Sequence, residues 1–116
     1  MVKVIVAGGR DFNNYKLLFA ALNSITEEYK IEEIVSGGAR GADKLGECWA
    51  TLSKINIKIF KPNWAMYGTP AGPIRNKEMA NYGDILVLFW NGRSPGSRSM
   101  MNEMTNLNKP VKLFKY

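Results

Sequence analysis

Short unbroken apolar runs alternate along the chain with stretches in which apolar residues return every three or four positions. That rhythm predicts buried parallel strands separated by amphipathic helices. Val2 to Ala7, interrupted only by Lys3 and closed by Gly8-Gly9, reads as a strand buried on both faces. Leu18, Ala21, Leu22 and Ile25 mark a first helix, capped by Asn13 or Asn14 and ending near Tyr29. Ile31 to Ser36 is a second strand, and Leu45, Cys48, Trp49 and Leu52 mark one face of a second helix, which places Cys48 in the core. Ile55 to Phe60 forms a third strand, followed by a long loop from Lys61 to Pro73. A loop of that length in a compact domain is usually functional. Ile74 to Tyr82 is a short helix closed by Gly83, with Arg75 and Asn76 in its first turn. Asp84 to Trp90 carries the strongest strand signal and is expected to lie centrally. A helix marked by Met100, Met101, Met104 and Leu107 stops at Lys109-Pro110, and Val111 to Phe114 is the last strand.

Strict alternation of strands and helices predicts an α/β three-layer sandwich, a five-stranded parallel sheet covered by helices on both faces. The expected strand order is 3-2-1-4-5. Ligands of such sheets bind beyond the carboxyl ends of the strands at the switch point, here between the first and fourth strands. Three glycine-containing turns would meet there: Gly8 to Phe12, Ser36 to Asp43 and Asn91 to Ser97.

At 116 residues the chain has room for one domain that buries roughly two thirds of its unfolded surface. With 46% hydrophobic and 22% charged residues it has the composition of a folded globular domain. One cysteine, Cys48, rules out an intrachain disulfide and a multi-cysteine zinc site and suits a reducing compartment. Histidine is absent, which removes Ser-His-Asp and Cys-His nucleophile systems. The amino terminus enters a strand without a signal-like segment and no apolar run approaches a membrane span, so the expectation is cytoplasmic with no membrane partner. A homo-oligomer is the expected state. The formal charge of +6 favours anionic partners.

The turn Ser36-Gly37-Gly38-Ala39-Arg40-Gly41-Ala42-Asp43 leads from strand to helix through three glycines. Backbone amides in such a turn can approach an anion closely, and the helix directs its positive end to the same point. Arg40 adds a donor fork suited to phosphate, while Asp43 accepts hydrogen bonds from sugar hydroxyls or simply favours the helix start. Asn91-Gly92-Arg93-Ser94-Pro95-Gly96-Ser97 repeats the arrangement. Trp64 and Tyr67 in the long loop offer faces to stack on a base or cover a pocket, unless Trp64 plugs the core edge.

Together, Gly8-Gly9-Arg10-Asp11-Phe12, Ser36 to Asp43, Trp64, Ala71-Gly72-Pro73-Ile74-Arg75-Asn76-Lys77-Glu78-Met79, Asp84, Phe89-Trp90-Asn91-Gly92 and Ser94-Pro95-Gly96-Ser97 resemble the YspA and YpsA-related branch of the SLOG superfamily. The resemblance runs almost end to end. It implies a single Rossmann-like, SLOG-like domain over residues 1–116 that binds nucleotides or nucleotide-derived ligands. The wider superfamily includes the LOG phosphoribohydrolases and the DNA-binding DprA proteins. Motif correspondence carries over Arg10, Gly37, Gly38, Arg40, Gly41, Asp43, Arg75, Asn76, Gly96 and Ser97 as ligand-site candidates, and Gly9, Asp11, Ser36, Trp64, Trp90 and Gly92 complete the set. One departure matters: the LOG enzymes carry a glutamate three residues after the Thr of their second glycine loop, and the position three after Ser97 is Met100. LOG-type hydrolysis therefore does not transfer, and the resemblance supports binding more than catalysis.

Three functions are open. The first is a sensor or sequestering protein for a small phosphorylated nucleotide, such as an ADP-ribose-like or cyclic nucleotide signal. Phosphate would sit on the amides of Gly37 to Gly41 and Gly96 to Ser97, ribose on Asp43 or Asp11, and the base on Trp64 or Trp90. No cofactor is required; Mg2+ could accompany the phosphates. The second is a hydrolase of an N-glycosidic or phosphoribosyl bond, for which Glu78 and Asp43 are the catalytic candidates, Glu78 being otherwise a solvated helix residue. The third, ranked last, is single-stranded nucleic-acid binding.

Overall fold

A computed structural model describes residues 1–116. The elements are β1 (Val2–Gly8), α1 (Tyr15–Glu28), β2 (Ile31–Ser36), α2 (Ala42–Leu52), β3 (Asn56–Ile59), α3 (Trp64–Tyr67), α4 (Ala71–Tyr82), β4 (Ile85–Trp90), α5 (Pro95–Asn106) and β5 (Val111–Lys115). The strands form one parallel sheet in the order β3-β2-β1-β4-β5, as the alternation predicts. This is a Rossmann-like α/β fold.

The two cores follow from the period of two in strands buried on both faces. Val4 and Val6 of β1, Ile34 of β2 and Val87 and Phe89 of β4 pack under α1 and α2 against Leu18, Leu22, Ile25 and Trp49. Their sequence neighbours Ile5, Ala7, Val35, Leu86, Leu88 and Trp90 face the other way, against Met79 and Ala80 of α4 and Met100 and Met104 of α5. β1 and β4, two of the three inner strands, therefore read as near-continuous apolar runs, while the edge strands β3 and β5 are largely exposed. No helix is long and apolar enough to cross a membrane.

Two expectations are corrected. The sheet-facing side of α2 is Ala42, Gly46, Trp49 and Ala50, with Leu45 half-buried, and Cys48 and Leu52 are exposed. The reason is close packing: a Cβ on Gly46 would lie 2.7 Å from Val6 Cβ, so small residues make the contact and the larger ones rotate outward. Trp49 anchors that face by donating its indole NH to Asn23 Oδ1 at 2.9 Å. The long loop, in turn, is partly helical. Asn63 caps the short helix α3, and α4 begins at Ala71, three residues before the expected Ile74. Pro73 is tolerated because the first-turn amides of a helix have no intrahelical partner. Arg75 and Asn76 consequently lie in the second turn of α4, and reach the rim through their side chains.

Candidate functional site

Beyond the carboxyl ends of β1, β2 and β4 the turns are tied together by backbone contacts. Gly9 N donates to Phe89 O at 3.0 Å, and Ala42 N donates to Gly9 O at 3.2 Å, joining the β1–α1 turn to the start of α2. Gly41 makes that approach possible. Its φ is +77°, and a Cβ there would lie 2.2 Å from Gly9 O.

The Gly37 to Gly41 turn is bonded internally in part. Gly38 N donates to Ser36 Oγ at 3.0 Å, Ala39 N to Asp43 Oδ2 at 3.2 Å, and Ala42 N to Gly9 O. Ser36 is fully buried and donates to Glu47 Oε2 at 2.7 Å, so it braces the turn from beneath. Asp43 is 5% exposed, and its carboxyl pKa is pushed up to about 6: burial outweighs the Ala39 hydrogen bond and the attraction of Arg75.

Arg75 crosses the rim. Its Nη1 donates to Gly37 O at 2.9 Å and to Phe60 O at 3.3 Å, and its Nε donates to Asn76 Oδ1 at 3.0 Å. Asn76, almost fully buried, passes the strap on by donating Nδ2 to Gly96 O at 3.3 Å and Ser99 Oγ at 3.4 Å. Three crossovers are thus joined by one hydrogen-bonded chain. Burial lowers the Arg75 pKa from its ordinary value, Asp43 opposes that shift, and the nearby charge of Arg10 adds to it.

Two cavities flank this strap. The larger, about 540 Å3, is walled by Gly9, Arg10, Asp11, Asp43, Asn76 and the start of α5 at Gly96 and Ser97. The second, about 450 Å3, is walled by Gly37, Gly38, Arg40, Lys61, Pro62 and Trp64. Arg10, Ala39 and Arg75 line both, so the two are lobes of one crevice. Arg10, Arg40 and Arg75 therefore share a rim. Trp64 is 53% exposed, which excludes the core-plug reading, and stands at the edge of the second lobe.

Five candidates lie outside both lobes. Ser36 and Gly41 shape the β2–α2 turn. Trp90 is buried, donates its indole NH to Ser94 O, and has Arg98 and Lys115 over its ring at 5.2 and 5.9 Å, so its face is taken. Gly92, φ +85°, shapes the exposed turn after β4. Glu78 is exposed on α4 and reaches neither lobe, which corrects its placement as a catalytic candidate.

Conversely, Ala39, Asn91, Ser94, Met79 and Met100 line the larger lobe and Lys61 the smaller, none of them among the sequence candidates. Asn91 could have been found: its Oδ1 accepts from Arg93 N and Ser94 N, the turn-forming habit of Asn before a helix cap. Met79 and Met100 gave no such signal, because a methionine on a core-facing helix reads as packing alone. Asp11 is held in place by Tyr116, whose hydroxyl donates to its Oδ1 at 2.5 Å.

The model of the YspA, cpYpsA-related SLOG family matches residues 2–67, from β1 through α3. The "Gene 61 protein" of Mycobacterium phage D29 is 30% identical over 118 residues, covering 96% of this chain and 94% of that protein. No solved structure matches significantly. With more than half of the chain inside the family model, the protein belongs to the YspA, cpYpsA-related SLOG family.

Proposed function

We propose that the protein binds a nucleotide or nucleotide-derived ligand, ADP-ribose-like or cyclic, in the two-lobed crevice and acts as its sensor or sequestering protein. The observation that carries the reading is the joining of the two lobes through Arg10, Ala39 and Arg75. A concave site with a few convergent charged and polar groups is the usual form of a small-ligand site. Arg10, Arg40 and Arg75 neutralise phosphate, Asp43, Asp11 and Asn76 offer partners to sugar hydroxyls, and the exposed face of Trp64 takes a base. Membership of the SLOG family supports a nucleotide-related role.

Thermal shift against a nucleotide panel tests this. Ligand at a hundredfold over its Kd adds roughly 2.7 kcal/mol, about 10 °C in a domain of this size. A protein that no phosphorylated nucleoside stabilises is not a nucleotide receptor. Native mass spectrometry of the purified protein would reveal a retained ligand by its mass.

Asp43 favours a second reading, hydrolysis of an N-glycosidic or phosphoribosyl bond. A carboxyl with a pKa of about 6 on the wall of the larger lobe is suited to donate a proton to a leaving group near neutral pH. Asp11 lines the same lobe as the second carboxylate such chemistry requires. Chromatography for free base or ribose phosphate decides: product that disappears in Asp43→Asn supports hydrolysis, and no product leaves binding alone.

A further inference from the structure

The two lobes differ in charge. Arg10, Arg40, Lys61 and Arg75 converge on the smaller lobe, and no carboxylate lines it. In the larger lobe Arg10 and Arg75 are matched by Asp11 and Asp43, so the lining is balanced. None of the four cations takes part in an ion pair; the three pairs in the molecule are Lys3–Glu32, Lys44–Glu47 and Lys112–Glu28. Like charges held together repel one another, as the opposition of Arg10 to the charge of Arg75 registers, although Asp43 in the larger lobe offsets it at Arg75. A polyanion relieves it. Within the glycine turn the amides of Gly38 and Ala39, and that of Ala42 just beyond it, are already bonded, which leaves fewer of them to take phosphate.

Building on the nucleotide reading above, we infer that the ligand carries at least two linked phosphates, that these occupy the lobe of Arg10, Arg40, Lys61 and Arg75, and that a hydroxyl-rich sugar occupies the balanced lobe. Nucleoside diphosphates and diphosphate-bridged nucleotide sugars share this chemistry. A monophosphate leaves at least two of the four cations unmatched. In the bridged class, a base on Trp64 is followed by the diphosphate at Arg10 and Arg75, with the second sugar beside Asp43 and Asn76.

Isothermal titration with AMP, ADP and ADP-ribose, on the wild type and on an Arg40→Gln/Lys61→Gln variant, tests the assignment. Both substituted side chains are exposed, and the fold is checked by circular dichroism. The expected result is that ADP and ADP-ribose bind about tenfold or more tighter than AMP, and that the variant loses this preference, its affinity for ADP and ADP-ribose falling further than that for AMP. ADP-ribose tighter than ADP identifies the bridged class; equal affinities identify the nucleoside diphosphate. AMP binding as tightly as ADP overturns the inference and leaves nucleotide binding intact, as does a preference that survives in the variant. Binding of none of the three, with no response across the nucleotide panel, removes the underlying reading as well.

Discussion

Substituting Asn for Asp43 separates the cost of burying a charge from the value of the turn it braces. The Asp43 carboxyl has a pKa of about 6 against 3.8 for an unperturbed group, and the chief cause is burial. A raised carboxyl pKa means that the folded state binds the proton more tightly than the unfolded chain. The corresponding stability is fully present below about pH 4 and is lost as pH rises through about 6. Raising the carboxyl from 3.8 to about 6 corresponds to about 3 kcal/mol. Asn keeps an oxygen to accept from Ala39 N and carries no charge at any pH. Asp43→Asn should therefore match the wild type near pH 4 and exceed it by about 3 kcal/mol, or about 10 °C in Tm, at pH 7.5. Urea denaturation of both proteins at intervals from pH 4 to 8 gives the difference directly, and carboxylates common to the two cancel. A difference that stays flat across that range, or a variant less stable than the wild type at pH 7.5, would show that the attraction of Arg75 outweighs burial and would refute the reasoning.

Other substitutions probe the rim and the helix faces. Gly41→Ala forces a Cβ into the Gly9 carbonyl at φ +77° and should cost about 2 kcal/mol or more while abolishing the ligand-induced thermal shift. Gly92→Ala, at φ +85° with open space around it, should cost about 1 kcal/mol and leave the shift unchanged; equal effects of the two on binding would contradict the site described here. Trp64→Ala, at an exposed position, should change urea stability by less than about 0.5 kcal/mol and weaken nucleotide binding by about 1–3 kcal/mol, a split that calorimetry and denaturation resolve together. Exposed Cys48 should react fully with a thiol reagent in the native protein, and Cys48→Ser should be neutral within about 0.5 kcal/mol; protection of the thiol until denaturation would restore it to the core.

The sequence by itself determined the strands and their order. Val2 to Ala7 and Ile85 to Trp90 are apolar at both parities because helices cover both faces of a parallel sheet, and right-handed crossovers then leave few topologies. It also located the loops of the crevice, since glycine, proline and asparagine punctuate the carboxyl ends of those strands. Only the tertiary structure decided what each loop residue does. The glycine turn after β2 looks open in sequence, but whether its amides face a ligand depends on partners distant along the chain, Gly9 O among them, and on a buried Ser36. Lys61 and Arg40 are charged surface residues in sequence and become half of a basic lobe only when the ends of β1, β2 and β3 lie side by side. Local periodicity fixes which residues are buried together; the direction in which an exposed side chain converges is set by packing between elements, which no local pattern encodes.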